Sequence, residues 1–108
     1  METWKLNELN VEAYKPQVLD SEAEGRAIVI NLPAGEKLQE HQVHERAWLL
    51  VTDGEVEVAD KSDSVTGGAG LLAIFDPKER HEVIANTDSR LLLVLAPWPG
   101  DGHPSNRD

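Results

Sequence analysis

Leu49-Leu50-Val51-Thr52-Asp53-Gly54-Glu55-Val56-Glu57-Val58 is the stretch that decides how this chain is read. From Glu55 onward apolar and charged residues alternate, which is the period of a half-buried strand: Val56 and Val58 face a core and the two carboxylates face water. The apolar run Leu49-Leu50-Val51 precedes it, and Asp53-Gly54 lies between. That dipeptide is a strong two-residue hairpin cue, because a type I′ turn needs positive φ at both central residues. The local reading therefore predicts two strands paired antiparallel across Asp53-Gly54.

Working outward, a turn signal recurs about every 8 to 12 residues along the chain: Gly25, Pro33-Ala34-Gly35, Gly67-Gly68, Asp76-Pro77 and Asn86-Thr87-Asp88, besides Asp53-Gly54. Between them lie short β-rich runs at 27–32, 38–43, 47–52, 55–59, 71–75, 82–85 and 90–95, and none keeps a helical period over useful length. Gly67-Gly68-Ala69-Gly70 has no following Lys-Ser/Thr, so it reads as a turn and not as a phosphate-binding loop. Many short strands with distant return connections predict an all-β fold. At this length a jelly-roll barrel, which hides the edges an open sheet exposes, is the preferred architecture. The expected organisation is an N-terminal strand or arm over 1–24, a barrel over 25–98 and a polar tail over 99–108. Residues 11–24 read equally as a first strand or a short helical turn.

Composition limits the function classes. The chain has 108 residues, 40% hydrophobic and 28% charged, which suits one folded domain. Twenty Asp+Glu against ten Lys+Arg give a formal charge of −10, a field that repels nucleic-acid backbones and anionic membrane surfaces. Neither is expected as a partner. With no cysteine, thiolate metal sites and thiol nucleophiles are excluded, so a metal must be held by His, Asp, Glu or backbone oxygen. No apolar leader is evident and the longest apolar run, 91–97, is far shorter than the ~20 residues of a membrane-crossing helix, so a cytoplasmic protein is expected. Neither a nucleophile elbow nor a paired-carboxylate spacing names a reaction, and whether the chain is an enzyme stays open.

The glycine and histidine spacing resembles the cupin family, whose motifs read G-x5-H-x-H-x3-E-x6-G and G-x5-P-x-G-x2-H-x3-N. Gly35, His41 and Gly54 keep the intervals of the first, with Val43 and Ala47 in place of the second His and the Glu. Gly70 and His81 keep those of the second, with Asp76, Lys78 and Ala85 in place of the Pro, Gly and Asn. The resemblance covers roughly 35–96. It implies a double-stranded β-helix with a site inside one mouth, often holding iron, manganese, zinc, nickel or copper.

On this chain the candidate metal ligands are His41, His44 and His81, three imidazoles that would leave a coordination position open for water or substrate on iron, manganese, nickel or zinc. Val43-His44-Glu45-Arg46 is the natural turn between strands. A one-residue bulge there would swing His44 inward, while Glu45 reads either as an added carboxylate ligand or as a solvated turn residue. Val43, Ala47, Leu49, Phe75 and Trp98 are the candidate pocket-lining residues for a small-molecule ligand. The alternative is a metal-free binding or sensor protein, in which Val43 and Ala47 have turned the site partly apolar. Trp98, between two prolines, would act as a lid or an interface plug. Trp48 has opposite parity to Leu49 and Val51, so it faces outward onto a subunit contact, and a homodimer is expected. Arg80 is a candidate for pairing with an incoming carboxylate, and His103, in the tail, is set aside.

Overall fold

The computed structural model describes residues 1–100 and Gly102, with the side chains of residues 39–42 outside that description. It contains nine strands among the described residues: β1 (Gln17–Glu22), β2 (Gly25–Leu32), β3 (Lys37–Gln42), β4 (Arg46–Asp53), β5 (Glu55–Ala59), β6 (Ser64–Gly68), β7 (Leu72–Phe75), β8 (Arg80–Ala85) and β9 (Ser89–Ala96). They form two antiparallel sheets, one in the order β1-β2-β9-β4-β7 and the other in the order β3-β8-β5-β6. Each sheet turns one face inward. β4 buries Ala47, Leu49 and Val51, β5 buries Val56 and Val58, β8 buries His81, Val83 and Ala85, and β9 buries Leu91 and Leu95. Except for His81, these side chains interdigitate with Ile30, Leu32 and Phe75 in one apolar cluster. Two sheets closed over one another in this order make the jelly-roll barrel that the strand cadence predicts, in the double-stranded β-helix form that the cupin resemblance implies.

The predicted hairpin does not form. β4 pairs with β7 and β9, whereas β5 pairs with β6 and β8, so Asp53-Gly54 carries the chain from one sheet to the other. Only Gly54 has positive φ, at +85°, and Asp53 does not, so the type I′ geometry is absent. The turn after β8 fixes the crossing. Asn86 donates its backbone N–H to Glu55 O at 2.9 Å, the Glu55 N–H goes to Thr87 Oγ1 at 2.9 Å, and Ser89 Oγ donates to Thr87 O at 2.8 Å. A Cβ on Gly54 would overlap the Asp88 carbonyl oxygen and Ser89 Oγ. A long-range contact thus overrides a local hairpin preference. Val56 and Val58 are nevertheless buried and Glu55 exposed, as the alternation predicts.

A second local reading also fails. Gly67-Gly68, taken as a turn, closes β6 and pairs with Val56 and Glu55 of β5, and the turn lies one step later at Ala69-Gly70. A backbone ladder needs no side chain, so an edge strand accepts glycines that a propensity reading rejects. At the N-terminus the strand alternative holds over β1, and a short 3₁₀ turn lies earlier, at Leu6–Glu8. The arm between them crosses the outer face of β2 and β9. Asn31 Nδ2 donates to Val11 O and Arg90 Nη1 to Leu6 O, and Val11 of the arm and Val29 of β2 are both buried.

Gly54→Ala should destabilise the fold by about 2–4 kcal/mol, combining the cost of positive φ with the clash against the 86–89 turn. Equilibrium urea denaturation reads this directly, with the m-value unchanged.

Candidate functional site

Three connections meet at the end of the molecule opposite the Gly54 crossing: residues 43–45 between β3 and β4, residues 76–79 between β7 and β8, and residues 97–100 after β9. The first two are bound together. Lys78 N–H donates to Val43 O at 2.7 Å, and Arg46 Nη1 donates to Asp76 Oδ1 at 2.6 Å. Within the second, Asp76 N–H donates to Glu79 Oε1 and Glu79 N–H to Asp76 O, which closes the turn. Lys78 there takes φ +67°, a conformation that favours glycine, at the place where the motif carries Gly.

The third connection lies over the first. Trp98 packs on the apolar cluster, its ring 4.0 Å beneath the Arg26 guanidinium, and its backbone N–H donates to Ala23 O at 3.2 Å. Two residues on, Gly100 N–H donates to Glu45 Oε2 at 2.6 Å. A Cβ on Gly100 would overlap the His44 carbonyl, so only glycine permits this approach. Glu45 is 1% exposed and is therefore not the solvated turn residue of the sequence reading. A buried carboxylate needs donors, and the C-terminal segment supplies one. The segment also passes His44, whose Nδ1 is shut off from solvent and lies 3.5 Å from the position a Cβ on Gly102 would take.

His81 stands apart from this strap. It is 7% exposed, on the inward face of β8, with its ring stacked on Phe75 at 4.1 Å between centroids and 13° between planes. Its Nδ1 lies 3.3 Å from Glu79 O. Ring stacking and a backbone partner together hold the imidazole in one orientation. Cavities adjoin both rings. One, of about 220 Å³, is lined mostly by charged side chains, Arg80, Glu82, Lys61 and Asp60, with His81 and Ala59. The other, of about 310 Å³, opens between β7 and the β5–β6 pair; Phe75, Val58, Val65 and Leu71 line it, and it shares Ala59 and Asp60 with the first. The backbone N–H groups of Ser62 and Asp63 and the Ser62 hydroxyl donate to Asp60 and hold its carboxyl below the usual range, so it stays charged at neutral pH.

Of the three candidate imidazoles, His41 and His81 are register partners on neighbouring strands, although the His41 side chain lies outside the described residues, as does His103. His44 sits at the mouth beside the strap. The proposed pocket residues Val43, Ala47, Leu49, Phe75 and Trp98 come together, but as members or close neighbours of the packed core, and Phe75 is the one that also borders the larger cavity. Among the described residues no three His, Asp or Glu side chains converge as a metal cage would require. Val43 and Ala47 contribute no donors, and Glu45 is engaged by Gly100. The described side chains therefore do not fit a complete ligand set. The sequence reading missed the Phe75–His81 stack, for which the short Asp76-Pro77 turn between two inward positions was an available signal. It also missed Ala59, Asp60 and Lys61, which reach the cavity only through the pairing of β5 with β8.

A cupin-domain family model matches residues 28–97, well over half of the chain. None of the curated proteins matches it in sequence. Among solved structures it is similar to an RmlC-like cupin protein from Desulfovibrio desulfuricans, with TM-score 0.80 and 19% identity over 90% of this chain and 97% of that one. It is also similar to an uncharacterised conserved protein with a double-stranded β-helix domain from Klebsiella pneumoniae, with TM-score 0.78 and 19% identity over 93% and 94%. A third is the cupin domain of Schizosaccharomyces pombe Cnp3, with TM-score 0.77 and 19% identity over 88% and 73%.

Glu45→Ala should cost about 1.5–3 kcal/mol by leaving the Gly100 N–H buried without its acceptor, and Glu45→Gln, which keeps an acceptor oxygen, should cost less than half of that. Paired thermal and urea denaturation of the two variants checks the difference.

Proposed function

The chain belongs to the cupin family, and we propose that it is a small-molecule-binding cupin whose site is built on the Phe75–His81 stack and does not depend on a metal. The observation that carries this reading is that the two stacked rings adjoin two cavities, one mainly apolar and the other rimmed by charged side chains. Phe75 lines the apolar one, His81 lines the charge-rimmed one, and Ala59 and Asp60 belong to both. A ligand with an apolar body in the β5–β7 cleft and a polar head beside His81 uses both. Lys61 and Arg80 stand with Asp60 and Glu82 around the charge-rimmed cavity, so the head group must both donate and accept, as a zwitterion or a hydroxylated carboxylate does. No proton transfer or bond cleavage is assigned to these residues.

A second reading has one specific support. The register pairing of His41 with His81 puts two imidazole-bearing residues opposite one another, where cross-strand Cβ atoms lie ~4.5–5.5 Å apart. Such a pair could begin a site for iron, manganese, nickel or zinc, completed by His44 or by ligand and water. The metal would supply Lewis acidity and an open coordination position.

Thermal-shift screening of metal-stripped protein against small aromatic amino and hydroxy acids tests the first reading. A ligand at 100 times its Kd should add ~2.7 kcal/mol of stability. That gain should vanish in both Phe75→Leu and His81→Gln. Absence of any shift from these probes, together with stoichiometric zinc or manganese uptake lost in His41→Ala and in His81→Ala, would replace it with the second.

A further inference from the structure

We infer that the end of the molecule at the Gly54 crossing holds a second small-molecule site, for a ligand that carries an ammonium and a carboxylate on a short aliphatic body. A cavity of about 350 Å³ opens there between the N-terminal arm and the turns after β2, β4 and β8. That volume suits a small organic ligand. The site is independent of the ligand reading above, since no residue lines both this cavity and either of the two beside the Phe75–His81 stack.

Asp53, Asp88 and Arg90 line this cavity without closing on one another. Asp53 and Arg90 are register partners on β4 and β9, and cross-strand Cβ atoms lie ~4.5–5.5 Å apart, where opposite charges ordinarily meet. A one-residue bulge at Thr52 makes them partners: Val51 pairs with Leu91 and Asp53 with Arg90, so Asp53 leaves the inward parity of Val51. Yet neither they nor Asp88 belong to any ion pair among the described residues. The half-buried guanidinium is held elsewhere. Arg90 Nε donates to Asn31 Oδ1 at 2.7 Å and Nη1 donates to Leu6 O, which fixes its plane and leaves Nη2 with no acceptor among the described residues. On the acid side, Asp53 Oδ1 accepts the Gly54 N–H at 3.0 Å and Asp88 Oδ1 accepts the Ala34 N–H at 2.8 Å, so each carboxylate keeps its Oδ2.

These charges select the ligand. A lone anion at Nη2 meets two carboxylates across the cavity, and a lone cation at the carboxylates meets the guanidinium. A zwitterion escapes both conflicts: its carboxylate accepts from Arg90, and its ammonium donates to Asp53 and Asp88. Leu32, Pro33 and Ala13 supply the apolar part of the lining, so the body between the charges is aliphatic. A free α-amino acid with a short branched side chain has this chemistry. Such a ligand also braces the arm, because the guanidinium that takes its carboxylate is the one that holds Leu6.

Amide NMR of the full chain, titrated with L-valine to about 50 mM, tests the site. Saturable shifts should centre on residues 31–34, 53–54 and 88–90, with a Kd of about a millimolar. Isovalerate and isobutylamine, which are valine without its ammonium and valine without its carboxylate, should each bind roughly 10-fold more weakly. Asp53→Asn and Asp88→Asn keep an oxygen for the Gly54 and Ala34 N–H groups, so the fold is retained, and each should weaken valine binding by roughly 10-fold. Asp20→Asn, which removes the same charge from an exposed position on β1, should leave the affinity unchanged. Absence of saturable shifts overturns the inference, as does binding of either half-ligand as tightly as valine. So does an affinity that survives both Asp53→Asn and Asp88→Asn, or a set of shifts confined to residues 59–61 and 80–82, which belong to the other end of the molecule.

Discussion

Between β4 and β5 the backbone must leave one sheet and enter the other within a single residue, and Gly54 meets that constraint. Its positive φ turns the chain, and its missing side chain lets the 86–89 turn settle against it, so that Glu55 is gripped from the β8–β9 connection. Everything downstream depends on which sheet β5 joins. Pairing with β8 rather than β4 sets Val56 and Val58 opposite Ala47, Leu49 and Val51 across the core instead of beside them. It also carries Ala59 and the following Asp60-Lys61 to the edge of the cavity at His81.

The class of fold was legible because it rests on many weak, concordant signals. Alternation in β5, the apolar run of β9 and the regular spacing of turn residues all survive in the structure. Where the reading went wrong, a single dipeptide was asked to decide a long-range matter. Asp53-Gly54 is compatible with a hairpin, and only contacts with residues more than thirty positions away exclude one. Gly67-Gly68 fails for a related reason, since main-chain pairing with β5 is invisible in side-chain propensities. Local chemistry carries no information about which surface will be brought against it.

The site follows the same division. His81 was found by its interval and lies inward as β8 alternates, but its stacking on Phe75 depends on how tightly the 76–79 turn closes. Glu45 was misread because a charged residue in a turn is usually solvated, and nothing in Glu45-Arg46 foretells that Gly100 will return to it. The positions where the family motif carries further ligands hold Val43 and Ala47, which the core absorbs. Among the described residues, packing therefore takes up these two positions, and His81 stands as a rigid imidazole beside two recesses.

The docking of residues 98–100 gives the two ends of the described chain different neighbourhoods. Gly102 lies at the mouth, next to the Glu45 anchor and His44, whereas Leu6 lies over the outer sheet, beside Arg90. Loosening one anchor leaves the other in place, so the mouth and the outer sheet surface are open to perturbation one at a time.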